Sequence, residues 1–159
     1  AIAKIEAARA QGIDIAADTY AYTAWGNALS AFIPPWAHDG GKAKLLVRLQ
    51  DPAMRERIRK DMLTPSDAWE NEWQQIPGPD SILIGQVQNP KLLPLQGKTM
   101  AEVAKLWNKD PIDTIFDFLI EDDAFTGVAV CGMSEPDVSL ALQLPWVSFV
   151  YVSSFASPE

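Results

Sequence analysis

IAKIEAARAQGIDIAADTYAYT, residues 2–23, is the stretch that decides the fold class. Ile2, Ile5 and Ala8 recur at helical spacing, and Gly12 is well placed to end that helix. After Gly12, apolar and polar residues alternate, which predicts a β-strand over residues 13–23. A helix, a glycine stop and a strand make the α-to-β half of an α/β unit. The sequence therefore predicts a mixed α/β chain.

Capping sequences predict where further helices begin. Asp51 and Asp110 are each followed by proline, Thr99 has glutamate three positions later, and Ser134 precedes Glu135-Pro136. Apolar, β-prone runs predict short strands over residues 81–85, 128–131 and 146–152. We predict a packed loop or short helix for residues 25–36 and a helical turn for residues 66–73.

Composition bounds the class of protein. The chain has 159 residues, and 13 Lys and Arg against 21 Asp and Glu give a formal net charge of -8. This balance argues against a nucleic-acid partner and against an anionic membrane surface, because both attract basic patches. No run reaches the about 20 apolar residues of a membrane-spanning helix, and the first residues lack signal-peptide character. We expect one compact cytoplasmic domain whose first residue lies partway along a longer protein.

The counts of histidine and cysteine limit the chemistry. Cys131 is the single cysteine and His38 the single histidine. This excludes an internal disulfide, a multi-cysteine zinc site and an HExxH metal site within the chain. We interpret His38 as a surface or capping residue, and Cys131, in an apolar strand, as a buried and unreactive thiol.

Charged residues offer weaker candidates for a site. Asp18 lies near the carboxyl end of the first predicted strand, where α/β folds gather ligands, although holding a backbone or tyrosine group is the commoner role. Residues 121–123 are interpreted as a solvated acidic loop. Residues 55–60 contain the only basic patch, which is interpreted as a solvated helix face beside acidic residues, with a phosphate-binding patch as the alternative.

Six tryptophans could form a binding platform. Trp107 and Trp146 are predicted to lie in the core. Four are candidates for an exposed aromatic surface: Trp25, Trp36, Trp69 and Trp73. Composition and spacing alone give no complete active site.

Four ordered stretches together resemble a known family. They are residues 5–14 with DTYAYTA at residues 18–24, LSAFIPPWA at residues 29–37, the helix between Gly97 and Pro111, and MSEPDV at residues 133–138. The set resembles the N-acyl-D-amino-acid deacylases (D-aminoacylases) of the amidohydrolase superfamily, in which a DxYPYTA-like segment, a PPWA segment and an MSE-DV segment occur in this order. The resemblance covers nearly the whole chain.

The resemblance implies a fold and a ligand. Members are metal-dependent hydrolases that cleave a non-peptide C–N amide bond on a (β/α)8 barrel. This chain would then be a partial section of such a barrel: residues 1–24 a late helix and strand, residues 25–126 a helix-rich insertion, and residues 127–159 the final strand section. The implied ligand is a small-molecule N-acyl amino acid. Tyr20 matches the first tyrosine of the family's YPY motif and Met133 a methionine of its acyl pocket, so both are expected to bind substrate.

The family's catalytic groups have no counterpart in this alignment. Its zinc is held by histidines and a cysteine on earlier strands, upstream of Ala1, so no catalytic residue, metal ligand or cofactor is expected within this chain. The last barrel strand of the family ends in a segment like FGSDAS, whose aspartate activates water. Val152 stands at that position here. Without a zinc site and a general base, the chain is expected to be inactive alone.

Three hypotheses follow from the sequence. The first is a deacylase-like hydrolase section that is inactive by itself. The second is a stand-alone binding or self-association module derived from that family. Separated barrel strands leave open edges, so this module is expected to be a homo-oligomer, most simply a dimer. The third is an active enzyme whose site is completed from elsewhere.

Overall fold

The computed structural model of the protein describes residues 2–150. Its helices and strands confirm the mixed α/β prediction. In chain order they are α1 (Ile2–Ala10), β1 (Ala17–Tyr20), β2 (Ala24–Ala28), α2 (Lys42–Gln50), α3 (Pro52–Leu63), α4 (Glu72–Gln75), β3 (Ile82–Ile84), α5 (Met100–Trp107), α6 (Pro111–Glu121), β4 (Gly127–Cys131), α7 (Glu135–Leu142) and β5 (Val147–Val150). None of the helices within residues 2–150 has the length and apolar character to cross a bilayer.

The chain divides into two compact units. The first contains the described residues up to Thr23 and those from Met133 onward, and the second is Ala24–Gly132. The assignment of residues 1–24, 25–126 and 127–159 to sections of a barrel stays a prediction.

The first unit is built on a parallel pair of strands, β1 and β5. Before β1, α1 ends as predicted: Gly12 has a φ of +83°, and its N–H donates to the carbonyl of Arg9 at 2.9 Å. This left-handed conformation suits glycine, which has no Cβ to clash. β1 is shorter than the predicted strand over residues 13–23. α7 lies against both strands, and Ser134 caps it as predicted by accepting from the N–H of Asp137.

The second unit contains an antiparallel sheet in the order β2-β4-β3. β4 is the central strand: Trp25 pairs with Val130 on one side, and Ile82 pairs with Val130 on the other. β2 covers the beginning of the stretch 25–36, for which a packed loop or short helix was predicted, so that prediction is wrong for residues 25–28. It is confirmed further along, where Leu29–Phe32 form a short 3-10 helix. The sequence AWGNA has little strand propensity, so pairing along β4 forms this strand.

The helix caps that the sequence predicts for the second unit are present in the structure. Asp51 accepts from the N–H of Met54, and Asp110 accepts from the N–H of Ile112. Thr99 and Glu102 form a reciprocal capping box. The predicted helical turn over residues 66–73 is wrong, because the helix in this region is α4, which begins at Glu72.

The core of the second unit lies between the sheet and its helices. α6 buries one face, and Phe116 and Phe118 are fully buried. Fully burying such a side chain contributes roughly 1.5–3 kcal/mol to the free energy of unfolding. Other fully buried side chains of this core are Leu29, Phe32, Leu49, Ile58, Met62, Ile82, Met100 and Ile115.

Candidate functional site

The carboxyl end of β1 holds two tyrosines and an aspartate. Tyr20 is the last residue of β1 and is half-buried, and its ring centroid lies 6.2 Å from that of Tyr22. Asp18 is exposed. Because side chains alternate along a strand, Asp18 and Tyr20 lie on the same face of β1.

β5 extends this face from the neighbouring strand. Asp18 pairs with Ser148, and Tyr20 pairs with Val150. Paired residues of parallel strands project to the same side, so the face presents a carboxylate, a serine hydroxyl and a phenol near the strand ends. Ser148 was not predicted as a site residue, because only the register of the strands places it beside Asp18. Val152 lies outside the described residues.

Met133 is linked to the same end of β1 through the backbone. Its N–H donates to the carbonyl of Thr23 at 3.2 Å, three residues after Tyr20. The Met133 side chain is 37% exposed. The structure therefore brings the segments of the two sequence-predicted substrate residues together at Thr23, while their roles in binding stay predictions.

The His38 ring lies beside two backbone carbonyls. Its Nε2 lies 3.1 Å from the carbonyl of Ser30 and 3.3 Å from that of Ile33. With the proton on Nε2, the ring donates to these carbonyls at the end of a 3-10 helix (Leu29–Phe32). The capping role predicted for His38 fits this geometry.

Cys131 is exposed, so the prediction of a buried thiol is wrong. It is the last residue of β4, where the alternation of buried and exposed side chains turns its side chain outward. The apolar residues before Cys131 led to the prediction of burial, but burial in an antiparallel strand depends on which face of the sheet a residue occupies.

The tryptophans do not form an exposed platform. Trp25, Trp36 and Trp73 pack half-buried against the core of the second unit, and Trp69 is half-buried as well. Trp107 stacks on Phe118, with ring centroids 5.6 Å apart. Trp146 is buried, as predicted.

The interpretation of residues 121–123 as a solvated loop is wrong for Asp122, whereas Glu121 and Asp123 are exposed. Asp122 is 1% exposed and accepts from the N–H groups of Gln88 and Asn89 and from the hydroxyl of Thr126. The carboxylate thereby holds the loop after β3 against the end of α6. Its backbone partners lie more than 30 residues away, which no local pattern in the sequence reveals.

Two of the basic residues of α3, Arg55 and Arg59, are engaged in ion pairs. Arg55 forms ion pairs with Asp113 and Asp117 of α6, and Arg59 with Asp110 and Asp113. Burial opposes ionisation of Asp117, but hydrogen bonds from Arg55 and Lys109 outweigh it and lower the pKa of this carboxyl. The acidic neighbours expected for residues 55–60 are present, but Arg55 and Arg59 are half-buried and join two helices, so the prediction of a solvated face is wrong for these two residues.

Glu72 is a buried carboxyl that sequence reasoning missed. It is 8% exposed; Oε1 accepts from the side-chain amide of Asn27, and Oε2 has no hydrogen-bond partner within residues 2–150. Burial raises the pKa of Glu72, and the hydrogen bond from Asn27 offsets only part of this effect. In the part of the chain that the structure describes, the neighbouring Asn71 also has a buried oxygen without a hydrogen-bond partner.

The residues of the described chain do not fit a zinc ion. Structural and catalytic zinc sites take three or four histidine, cysteine or carboxylate ligands. Residues 2–150 contain no group of three or more such side chains that could hold a metal ion, and the Nε2 of His38 faces backbone carbonyls. No catalytic step through zinc is therefore derived from this chain.

No protein-family model and no curated protein matches the sequence. Among solved structures, the chain is similar to an N-acyl-D-glutamate deacylase from Bordetella bronchiseptica, determined with zinc and a phosphonate inhibitor that mimics the tetrahedral intermediate of the reaction. The identity is 19%, the TM-score is 0.50, and the match covers 93% of this chain and 21% of that protein. At this level of identity the similarity concerns the fold alone.

Proposed function

We propose that this chain is a section of a metal-dependent amidohydrolase of the N-acyl-D-amino-acid deacylase type, which binds substrate and is inactive by itself. The observation behind the proposal is the parallel register of β1 and β5, with Tyr20 at the carboxyl end of β1. Barrels of (β/α)8 type bind their ligands at the carboxyl ends of parallel strands. The similarity in fold to a deacylase supports the same assignment.

The order of elements along the chain also supports this proposal. β1, α7 and β5 follow one another as a strand-helix-strand unit, and the second unit, Ala24–Gly132, is inserted between β1 and α7. The insertion follows the carboxyl end of β1, and segments at this position in a (β/α)8 barrel are those that vary between substrates. Residues 25–126 would therefore belong to the part of the complete enzyme that selects its substrate.

Tyr20 and Met133 have side chains suited to an N-acyl amino acid. A phenol hydroxyl can donate a hydrogen bond to the substrate carboxylate or to the oxyanion that develops at the amide carbon. A thioether packs against an acyl chain of variable shape. Zinc, when bound by the complete enzyme, would polarise the amide carbonyl and lower the pKa of a water molecule. This chain's own part is to hold the substrate.

The proposal predicts binding without turnover. The purified chain, supplied with zinc, would be incubated with N-acyl-D-amino acids, and release of the free amine would be followed alongside calorimetric binding. We expect D-selective binding and no release of amine. Turnover by the chain alone would contradict the inactive section, and the absence of binding to every N-acyl-D-amino acid would contradict the substrate assignment.

A specific feature of the first unit favours a second candidate, a stand-alone self-association module. Within residues 2–150, β1 and β5 form a two-stranded sheet, so each has an unpaired edge. Phe149 of β5 is 67% exposed and Ile13, before β1, is 52% exposed. Open edges and exposed apolar side chains promote association of identical chains. A dimer in solution that Phe149→Ser converts to a monomer would support this candidate, and a monomeric wild-type chain would contradict it.

A further inference from the structure

The second unit contains a cavity of about 310 Å³ that has no part in the proposed deacylase role. It lies between residues 34–36 and the end of α3 with the loop that follows, residues 61–69. Two indoles, Trp36 and Trp69, and three prolines line it. These walls give the cavity a rigid and largely apolar surface.

Asp61 brings a carboxylate to the lining of this cavity. Its Oδ2 accepts from the indole N–H of Trp36 at 2.7 Å, which holds the carboxylate in place. Asp61 takes part in no ion pair within residues 2–150. An anionic group beside indole rings, without a cation of its own, is an arrangement that recognises a positive charge.

The surroundings of the cavity add to its negative character. Asp67 and Glu70 are exposed on either side of Trp69. Arg57 of α3 lies 3.9 Å over the Trp36 ring, and neither Arg57 nor Lys60 lines the cavity.

We propose that this cavity binds the ammonium group of a small alkylamine. The ammonium would donate to the Asp61 carboxylate, and the alkyl chain would lie between the two indoles and the prolines. The site belongs to a different unit from Tyr20 and Met133, and its ligand is a cation rather than an N-acyl amino acid. It is therefore independent of the deacylase proposal, and either can fail alone.

The test uses n-hexylammonium as the probe, with n-hexanol as a neutral control of the same length. Binding would be followed by NMR through the indole N–H resonances, assigned by Trp36→Phe and Trp69→Phe. We expect n-hexylammonium to shift both resonances saturably and to bind about tenfold or more tightly than n-hexanol, as a charged hydrogen bond requires. No saturable shift, or equal binding of the two probes, would overturn the proposal.

Two variants locate the charge that is responsible. Asp61→Asn keeps an oxygen that can accept from Trp36 but removes the negative charge, so it should weaken n-hexylammonium binding about tenfold. Asp80→Asn removes the same charge from an exposed residue outside the cavity and should leave binding unchanged. Equal binding by the wild type and Asp61→Asn, or equal losses in both variants, would overturn the assignment to Asp61.

A third variant tests the site without altering its carboxylate. Ala68 is exposed and lines the cavity, so Ala68→Lys should fold normally and place its own ammonium group near Asp61. This lysine should prevent n-hexylammonium from binding. Undiminished binding by folded Ala68→Lys would contradict the proposed position of the ligand.

Discussion

Asp18 lies beside Ser148 in the parallel register of β1 and β5, and both side chains are exposed. Two residues further along, Tyr20 lies beside Val150. One face of this sheet therefore presents polar groups from two strands that lie near opposite ends of the described chain. Parallel strands need a crossover connection, and here that connection includes the whole second unit as well as α7.

The Tyr20 hydroxyl is expected to contribute to binding of an N-acyl-D-amino acid. Tyr20→Phe removes the hydroxyl and keeps the ring, so we expect affinity to fall about tenfold, as for loss of one hydrogen bond to a charged group. Thr19→Val is the matched control, because it removes a hydroxyl from the opposite face of β1. Calorimetry would measure both variants. Equal losses of binding affinity in Tyr20→Phe and Thr19→Val would contradict the role of Tyr20.

Glu72 is expected to make stability fall as the pH rises. Because its pKa in the folded state is raised above 4.5, ionisation within the fold costs free energy once the pH passes this raised value. Glu72→Gln lacks this cost, so it should stabilise the protein at pH 7 by on the order of 1 kcal/mol and have little effect below about pH 4. Urea unfolding at both pH values measures the difference. A stability difference that is independent of pH would contradict the assignment.

Asp117 is expected to make stability fall as the pH is lowered, the opposite of the effect of Glu72. The pKa of Asp117 is lowered below 3.8, so its stabilising effect is present above that value and is lost as the pH falls through the folded-state pKa. Asp117→Asn should cost about 1 kcal/mol at pH 7, and this cost should shrink in acid. The control is Asp123→Asn, because both partners of the Lys42–Asp123 pair are more than half exposed and such pairs contribute little. Urea unfolding measures both variants, and equal losses in the free energy of unfolding would contradict the role of the Arg55–Asp117–Lys109 cluster.

Gly132 is expected to tolerate no side chain. A Cβ at this position would lie 2.6 Å from Cη2 of Trp25, a ring packed against the core. Gly132→Ala should therefore destabilise the second unit by about 1–3 kcal/mol, as overpacking does. At Gly26 a Cβ would meet nothing within 4 Å, so Gly26→Ala should change stability little. The two unfolding curves measure this contrast, and a neutral Gly132→Ala would contradict the close packing of Trp25.

Features that depend on neighbouring residues could be predicted from the sequence. The caps at Asp51, Thr99, Asp110 and Ser134 need only a few adjacent residues, and all four are present in the structure. The end of α1 at Gly12 was predictable for the same reason, because it depends on the freedom of one glycine to take a positive φ.

Features that depend on distant contacts could not be predicted in this way. β2 forms because β4 pairs with it, and Asp122 is buried because the loop after β3 donates to it. Glu72 accepts a hydrogen bond from Asn27, which is 45 residues away in the sequence. Ser148 lies beside Asp18 only because of the strand register. For the candidate site, the family resemblance supplied Tyr20 and Met133, whereas the fold alone places their segments together.

The central claim is that the end of β1 binds an N-acyl-D-amino acid, and the methyl resonance of Met133 tests it most directly. The chain would be labelled at its methionine methyl groups and titrated in turn with N-acetyl-D-glutamate and N-acetyl-L-glutamate. Met133→Leu would assign the resonance. The account predicts a saturable shift of the Met133 methyl that is larger and reached at lower concentration with the D enantiomer. Equal shifts with both enantiomers, or no shift with either, would contradict it.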